Sequence, residues 1–145
     1  MTRSLLIIDD DQAIRTSLVE ALADDTTAVR AAADAAGALA LLAQAPADVV
    51  LSDVRMPGMD GIQLLRLLRE RGLAVDVVLM SAYDDLPTVA IAMRDGAADF
   101  LAKPLDLHQL RAVLGRVFAD RATRARAGRE RAVERAEPAP PVELV

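Results

Sequence analysis

The sequence predicts an α/β protein in which five parallel strands form one sheet and helices cover both of its faces. Five short segments of strand-like composition alternate along the chain with segments of helical length and periodicity. Three of the five are continuously apolar, which is typical of strands buried on both faces in a parallel sheet. Helical crossovers are the connections that parallel strands need. The predicted fold is therefore βα repeated five times, wound on both sides of the sheet.

The elements follow in order. The predicted strands are residues 5–8 (LLII), 26–32 (TTAVRAA), 48–52 (DVVLS), 75–81 (VDVVLMS) and 99–102 (DFLA). The first helix begins after Asp11, whose side chain is suited to cap it, and carries apolar residues at i, i+4, i+7 and i+8 from Ile14. The other predicted helices are residues 36–45, 61–72, 86–96 and 106–117, and the last is expected to continue outward through residues 120–137. Gly72 and Gly96 are expected at left-handed helix ends, and Pro87 in a first turn.

Composition narrows the functional classes. A chain of 145 residues with 53% hydrophobic residues can bury one core. It has no cysteine, so disulfides and thiolate metal sites are excluded. A net charge of -5 and 2% aromatic residues argue against a nucleic-acid surface. The apolar run near the N-terminus is too short for a signal peptide or a membrane span, so we expect a soluble, cytoplasmic protein without membrane contact.

Three regions are predicted along the chain: a folded domain over 1–119, a helical extension over 120–137, and a Pro-rich linker over 138–145 that precedes a further domain. The extension is rich in arginine and alanine, with four acidic residues interspersed. It is therefore interpreted as a solvated helix or signalling linker, and a DNA-binding arm is the alternative. A weak coiled-coil seam passes through Phe118, Ala122, Ala125, Arg129, Ala132 and Ala136.

Polar side chains lie at the carboxyl ends of four of the five predicted strands, either as the last residue or just after it. Asp9 and Asp10 follow the first strand, Asp53 the third and Lys103 the fifth, and Ser81 ends the fourth. Lys103 is the only lysine of the chain. Because the carboxyl ends of parallel strands meet at one edge of the sheet, we expect these side chains to lie together.

This set of residues suits phosphoryl chemistry with a hard cation. Carboxylates without nearby His or Cys favour Mg²⁺, or Mn²⁺ in its place. A divalent cation would offset the repulsion between Asp9 and Asp10. Asp53 would then be a nucleophile that forms an acyl phosphate. Lys103 would supply a positive charge and Ser81 a hydroxyl donor.

The segments "IIDDD", "LSDVRMPGMDG", "MSA" and "DFLAKP" together resemble the receiver domain of bacterial two-component response regulators, over about residues 5–118. The resemblance implies a flavodoxin-like fold with Asp53 as phosphoacceptor and Asp9 and Asp10 as the acidic pair that binds Mg²⁺. It also implies that the backbone carbonyl of Arg55 completes the metal site.

The same resemblance implies a conformational switch. Ser81 stands where the family has Thr or Ser, and Phe100 where it has a switching Tyr or Phe. Because Phe100 has no hydroxyl, switching here would depend on burial alone. Lys103 matches the family's lysine, and the peptide bond to Pro104 is often cis in that family.

Partners also follow from the resemblance. A sensor histidine kinase would phosphorylate Asp53, and the face formed by helix 4, strand 5 and helix 5 would change and control dimerisation or an output domain. The helical extension would contribute to the homodimer. The motifs are most similar to receivers of the nitrogen-regulation class, in which a AAA+ ATPase follows, so a role in transcription regulation is expected. No enzymatic activity is expected beyond the domain's own phosphorylation and autodephosphorylation.

Two residues flank the expected site. Arg55 and Tyr83 lie two positions beyond Asp53 and Ser81. They either limit the access of water to the acyl phosphate or are simply exposed.

Two other functions stay open. An aspartyl-phosphate hydrolase of the haloacid-dehalogenase type also uses Asp, Mg²⁺, Ser or Thr, and Lys. Enzymes of that type resemble one another in having their nucleophile and acid as Asp-x-Asp on the first strand. Here the first-strand acids Asp9 and Asp10 are adjacent, and Asp53 stands alone on the third strand. A phosphorylation-independent interaction module is the third hypothesis.

Overall fold

Five strands and five helices alternate along the chain. The structure is a computed structural model that describes residues 2–82 and 85–136. Its elements are β1 (Arg3–Ile8), α1 (Gln12–Leu22), β2 (Thr27–Ala32), α2 (Ala35–Gln44), β3 (Val49–Asp53), α3 (Gly61–Glu70), β4 (Asp76–Ser81), α4 (Leu86–Arg94), β5 (Asp99–Ala102) and α5 (Leu107–Ala136). The predicted fold class is confirmed, and the predicted boundaries, including the outward continuation of the last helix, lie within about two residues of those observed.

The sheet is entirely parallel, with the strand order β2-β1-β3-β4-β5. Helices α1 and α5 cover one face, and α2, α3 and α4 cover the other. The chain therefore reverses its direction of winding between β1 and β3, which are neighbours in the sheet. In open α/β sheets this switch point forms a crevice at the carboxyl edge, where ligands bind.

The predicted helix signals act as expected. The Asp11 carboxylate accepts hydrogen bonds from the amides of Ala13 and Ile14 at 2.9 and 3.2 Å, which caps α1. Gly72 and Gly96 have φ of 70° and 103°, a left-handed conformation that L side chains rarely adopt. These local interactions begin α1 at the carboxyl edge of the sheet and end α3 and α4 at the opposite edge, before β4 and β5.

The last helix continues past residue 119, where the folded domain was predicted to end and the helical extension to begin. It continues to Ala136, and ion pairs attach its middle to the amino-terminal edge of the sheet. Arg121 contacts Asp48 and Asp76, each at 3.4 Å, and Arg124 contacts Asp76. These ion pairs therefore attach α5 to the edge of the sheet as far as Arg124.

The predicted coiled-coil seam is wrong at its first position. Phe118 is buried in the core shared by α1, α5 and the sheet, and the guanidinium of Arg3 lies 4.4 Å from the centre of its ring. A buried ring cannot contact a second chain, so any seam must begin further along α5.

The predicted linker, 138–145, and Tyr83 lie outside the described residues. Within 2–82 and 85–136, no helix is long and apolar enough to cross a membrane.

Candidate functional site

Three carboxylates meet at the carboxyl edge of the sheet. Because Ile8 pairs with Ser52 in the β1–β3 register, the residues that follow them, Asp9 and Asp53, lie side by side. One carboxylate oxygen from each of Asp9, Asp10 and Asp53 lies within 4.8 Å of the others. Asp9 is fully buried and Asp53 is 7% exposed, whereas Asp10 is open to solvent.

Lys103 connects two of these carboxylates. Its ammonium nitrogen, Nζ, lies 3.0 Å from Oδ2 of Asp9 and 2.9 Å from Oδ2 of Asp53. Its backbone N–H donates to the carbonyl of Ser81 at 2.8 Å, which fixes the start of the turn after β5. The Lys103–Pro104 peptide bond is cis. The lysine is thus held by its own main chain between groups from β1 and β3.

Burial and charge act in opposite directions at this site. Burial raises the pKa of Asp53 above its ordinary value; the hydrogen bond from Lys103 opposes the increase, and the nearby charge of Asp9 adds to it. Burial also disfavours the charged form of Lys103, but hydrogen bonds to Asp53 and Asp9 outweigh it and raise the pKa of Lys103. Without another cation, the site holds more negative charge than one ammonium group can balance.

The acidic cluster fits a hard divalent cation. Oxygen ligands of Mg²⁺ lie about 2.1 Å from the ion, so ligands on opposite sides are about 4.2 Å apart. The 4.8 Å limit on the carboxylate oxygens is compatible with that spacing after small side-chain rotations. No His or Cys side chain belongs to the cluster. Its donor chemistry is therefore that of Mg²⁺ or Mn²⁺ sites.

Backbone groups hold the acidic side chains in place. Oδ1 of Asp9 accepts the amide of Asp11 at 2.9 Å, and Oδ1 of Asp53 accepts the amide of Arg55 at 3.2 Å. The guanidinium of Arg15 donates to the backbone carbonyl of Asp9 at 2.8 Å. This contribution of Arg15 was missed by the sequence analysis, because helical periodicity does not show which loop carbonyl a long side chain reaches.

Gly61 supports the site by close approach. A Cβ atom on Gly61 would lie 2.5 Å from the carbonyl oxygen of Asp53 and 3.1 Å from Cα of Val54. The Gly61 amide also donates to the carbonyl of Val54 at 2.9 Å. The first turn of α3 therefore packs directly on the main chain of Asp53. The sequence pattern "MPGMDG" indicated a turn here but not this contact.

Ser81 and Phe100 lie on the same face of the sheet. Phe100 pairs with Leu79 across β4 and β5, and side chains two positions apart share a face, so Ser81 lies on that side too. The Ser81 hydroxyl donates to the carbonyl of Ala82 at 3.0 Å. Phe100 is half-buried and packs against the core formed with α2, α3 and α4.

An ion pair crosses from one loop to another beside the carboxylates. The Nε atom of Arg55 donates to Oδ2 of Asp85 at 3.0 Å, and its Nη2 atom donates to Oδ1. The hydrogen bond from Arg55 lowers the pKa of Asp85, and the Ser81 hydroxyl contributes in the same direction. Asp85 did not emerge from the sequence, because a loop aspartate before a helix is ordinarily a cap.

A parallel (βα)5 fold with an acidic cluster and one lysine at its carboxyl edge is the arrangement expected of a receiver domain. Residues 5–115 match the response regulator receiver domain family. The chain belongs to this family. It is a receiver domain of a response regulator, and receiver domains are phosphoacceptors that bind Mg²⁺ at an acidic pocket. This membership favours the receiver over the hydrolase and the interaction module.

Individual relatives agree with the family match. The chain is 38% identical over 112 residues to the DNA-binding transcriptional regulator NtrC of Escherichia coli strain K12, covering 77% of this chain and 24% of NtrC. It is 42% identical over 110 residues to the response regulator protein FleR of Pseudomonas aeruginosa, covering 76% of this chain and 23% of FleR. The chain thus spans about a quarter of the length of these relatives. The predicted likeness to the nitrogen-regulation class is confirmed.

A solved structure shares the fold. The receiver domain of NtrX from Brucella abortus superposes with a TM-score of 0.73 at 31% identity, covering 78% of this chain and 96% of that domain. The similarity covers nearly all of a separately solved receiver domain, so the fold described above is the receiver fold.

Proposed function

We propose that Asp53 is the phosphoacceptor of this receiver domain, and that Asp9, Asp10 and the backbone carbonyl of Arg55 hold Mg²⁺, or Mn²⁺, beside it. The observation that carries the proposal is the contact of Lys103 Nζ with both Asp53 and Asp9, at 2.9 and 3.0 Å. A shared cation between an acceptor carboxylate and a metal-binding carboxylate supports phosphoryl transfer better than a purely structural role.

The proposed transfer uses the groups of this chain in definite roles. A carboxylate oxygen of Asp53 attacks the phosphorus of a phosphohistidine, the P–N bond breaks, and its electron pair returns to the imidazole ring, which takes up a proton. Lys103 neutralises charge on the phosphoryl oxygens during transfer. The bound divalent cation supplies further positive charge to the same oxygens. No other enzymatic activity is proposed beyond autodephosphorylation of the acyl phosphate.

The kinase is proposed to approach over α1. A groove of about 640 Å³ lies between α1 and the turn after β5, and Ile14, Leu18, Lys103 and Leu105 are among its lining residues. It is continuous with the site through Lys103, which contacts Asp53. An apolar groove that leads to the acceptor suits a helix of a sensor histidine kinase carrying its phosphohistidine.

The output surface is proposed to be the face of α4, β5 and α5. The hydroxyl of Ser81 turns toward the phosphoryl group, and Phe100 moves into the space it leaves. Leu86 and Ile91 on α4 and Leu107 on α5 are exposed apolar side chains on these helices. Their exposure supports a homodimer formed when this face changes, with the part of α5 beyond Arg124 as a second contact.

The whole protein is proposed to regulate transcription. The relatives named above are called a transcriptional regulator and a response regulator, and the chain covers about a quarter of each. A continuous α5 as far as Ala136 supports a helical connection to an output domain. This segment itself is proposed not to contact nucleic acid.

Intact mass spectrometry tests the phosphoacceptor. The chain is incubated with acetyl phosphate and Mg²⁺, without Mg²⁺, and as the variants Asp53→Asn and Asp60→Asn. Asp60 caps α3 in a capping box with Gln63, and asparagine preserves that cap, so this variant is the matched control. We expect one added phosphoryl group in the wild type and in Asp60→Asn, and none in Asp53→Asn or without metal. Equal modification of Asp53→Asn would assign the acceptor elsewhere.

A further inference from the structure

A buried carboxylate stands immediately before α4. The Asp85 side chain is 2% exposed and makes no side-chain hydrogen bond to the helix it precedes. Aspartate at this position ordinarily accepts the free amides of the first helical turn. Here its oxygens instead accept two hydrogen bonds from the guanidinium of Arg55. The carboxylate therefore stabilises a contact with another loop rather than its own helix.

This ion pair joins the loop after the acceptor to the start of α4. Arg55 lies two residues after Asp53, and its backbone amide donates to the Asp53 carboxylate. Its side chain is 76% exposed, so the guanidinium spans the outside of the site to reach Asp85. The contact links residues that are 30 positions apart in the chain. The side chain that pairs with the residue before α4 thus belongs to a residue whose main chain contacts the proposed acceptor.

We propose, on the basis of the phosphoacceptor role of Asp53, that the Arg55–Asp85 ion pair is a latch that holds the first turn of α4 in the unphosphorylated protein and opens on phosphorylation of Asp53. This deepens the proposed function by naming the contact through which charge at the acceptor reaches the output face.

The physical reason is competition for one guanidinium group. A phosphoryl group brings nearly two negative charges and three strong acceptor oxygens to a position two residues from Arg55. If the guanidinium turns toward it, the Asp85 carboxylate, which is 2% exposed beside Arg55, loses the positive charge paired with it. That state is unfavourable, so Asp85 must move toward solvent or toward the free amides of α4. Either movement rearranges the first turn of the helix.

Thermodynamic linkage gives the latch a measurable consequence. If the latch is closed without phosphate and open with it, removing the latch must favour the phosphorylated state at equilibrium to the same extent that phosphorylation opens the latch. We take the open form to be the one that reacts with the phosphoryl donor, so the rate of phosphorylation should rise as well. The prediction therefore has two parts: α4 loosens in the unphosphorylated variant, and the variant is phosphorylated more readily.

The test compares the two aspartates that flank α4, each of which forms an ion pair with an arginine outside that helix. Asp85→Asn removes the latch carboxylate with little change of shape. Asp95→Asn is the matched control, because Asp95 ends the same helix and pairs with Arg66 of α3 at 2.7 Å. Hydrogen exchange of the unphosphorylated 145-residue chain is followed by mass spectrometry. We expect the amides of 86–90 to exchange about fivefold faster or more in Asp85→Asn, at the lower end of typical coupling between sites. In Asp95→Asn they should exchange as in the wild type.

A second variant removes the other partner. Arg55→Gln changes an exposed side chain and leaves the backbone carbonyl of the proposed metal site. It should loosen the same amides, and the double variant Arg55→Gln with Asp85→Asn should add little to this loosening beyond either single change, because both variants remove the Arg55–Asp85 contact. Unchanged exchange in both single variants, or strictly additive effects, would overturn the latch.

Phosphorylation rates then separate the latch from the proposed function. With acetyl phosphate and Mg²⁺, we expect Asp85→Asn to be phosphorylated several times faster than the wild type, and Asp95→Asn at the wild-type rate. If the wild type is phosphorylated at Asp53 but Asp85→Asn reacts no faster, the latch is refuted and the proposal that Asp53 is the phosphoacceptor stands. A wild type that takes up no phosphoryl group refutes the phosphoacceptor and the latch with it.

Discussion

Substitution of Gly61 by alanine should disturb the phosphorylation site without touching a reacting group. Gly61 begins α3, and its Cα packs on the main chain of Asp53. An added Cβ would lie 2.5 Å from the Asp53 carbonyl oxygen, whereas carbon and carbonyl oxygen rarely approach closer than about 3.3 Å. Either the loop or the strand end must therefore move by roughly 0.8 Å.

The expected magnitudes follow from that displacement. Overpacking of a tight contact costs about 1–3 kcal/mol in the free energy of unfolding. A shift of nearly 1 Å in a reacting group lowers the rate by up to about 100-fold, so we expect Gly61→Ala to be phosphorylated roughly ten to 100 times more slowly. The assays are urea unfolding, and the rate of mass gain with acetyl phosphate at saturating Mg²⁺.

Gly115→Ala is the matched control for this prediction. It makes the same chemical change inside α5, where an added Cβ meets no atom within 4 Å. We expect it to react at the wild-type rate and to be more stable by up to about 1 kcal/mol, because alanine favours helix. If Gly61→Ala matched the wild type in both stability and rate, the close approach to Asp53 would have no functional consequence and the reasoning would be refuted.

Three further predictions concern charge. Asp53→Asn should raise the free energy of unfolding measured in EDTA, because it removes a carboxylate whose charged form is disfavoured by burial and by Asp9. The same variant should be stabilised less by Mg²⁺. In the wild type that stabilisation is about 1.4 kcal/mol at a Mg²⁺ concentration ten times the dissociation constant. Lys103→Met should slow phosphorylation by acetyl phosphate on the order of 100-fold, as loss of one preorganised donor does elsewhere; a rate within twofold of the wild type would remove Lys103 from the mechanism. Arg121→Gln should lower the unfolding free energy by about 1 kcal/mol and speed proteolysis of the helical extension, since its ion pairs and its hydrogen bond to the Ala74 carbonyl are lost. Arg126→Gln, which changes an exposed arginine of the same helix, is the control. Equal rates of proteolysis in the two variants would contradict the role of Arg121 in attaching the extension to the sheet.

Some parts of the site follow from the sequence because they depend on topology alone. Alternation of strand and helix patterns makes the sheet parallel, and a parallel sheet gathers its carboxyl ends at one edge. Asp9, Asp53 and Lys103 had to lie along that edge once the strands were assigned. Their placement on the edge does not depend on the path of any loop.

Other parts depend on where loops bring side chains, and neither periodicity nor strand assignment contains that information. The pairing of Arg55 with Asp85 requires two loops to face each other, and Asp85 has the sequence signature of an ordinary helix cap. The need for glycine at 61 comes from a close approach rather than from an unusual φ. The sequence pattern placed Phe118 both on the apolar side of the last helix and at the start of the predicted seam, and its burial against α1 and the sheet decided for the core.

The sequence by itself determined the fold class, the helix caps and the identity of the charged groups at the sheet edge, because these depend on local pattern and on the geometry common to all parallel sheets. Only the tertiary structure decided that Lys103 bridges Asp9 and Asp53, that Arg55 holds Asp85, and that α5 stays attached to the sheet through Arg121. These contacts join residues 30 or more positions apart through long or buried side chains. Their partners are set by packing and desolvation in the folded state, which no local pattern records.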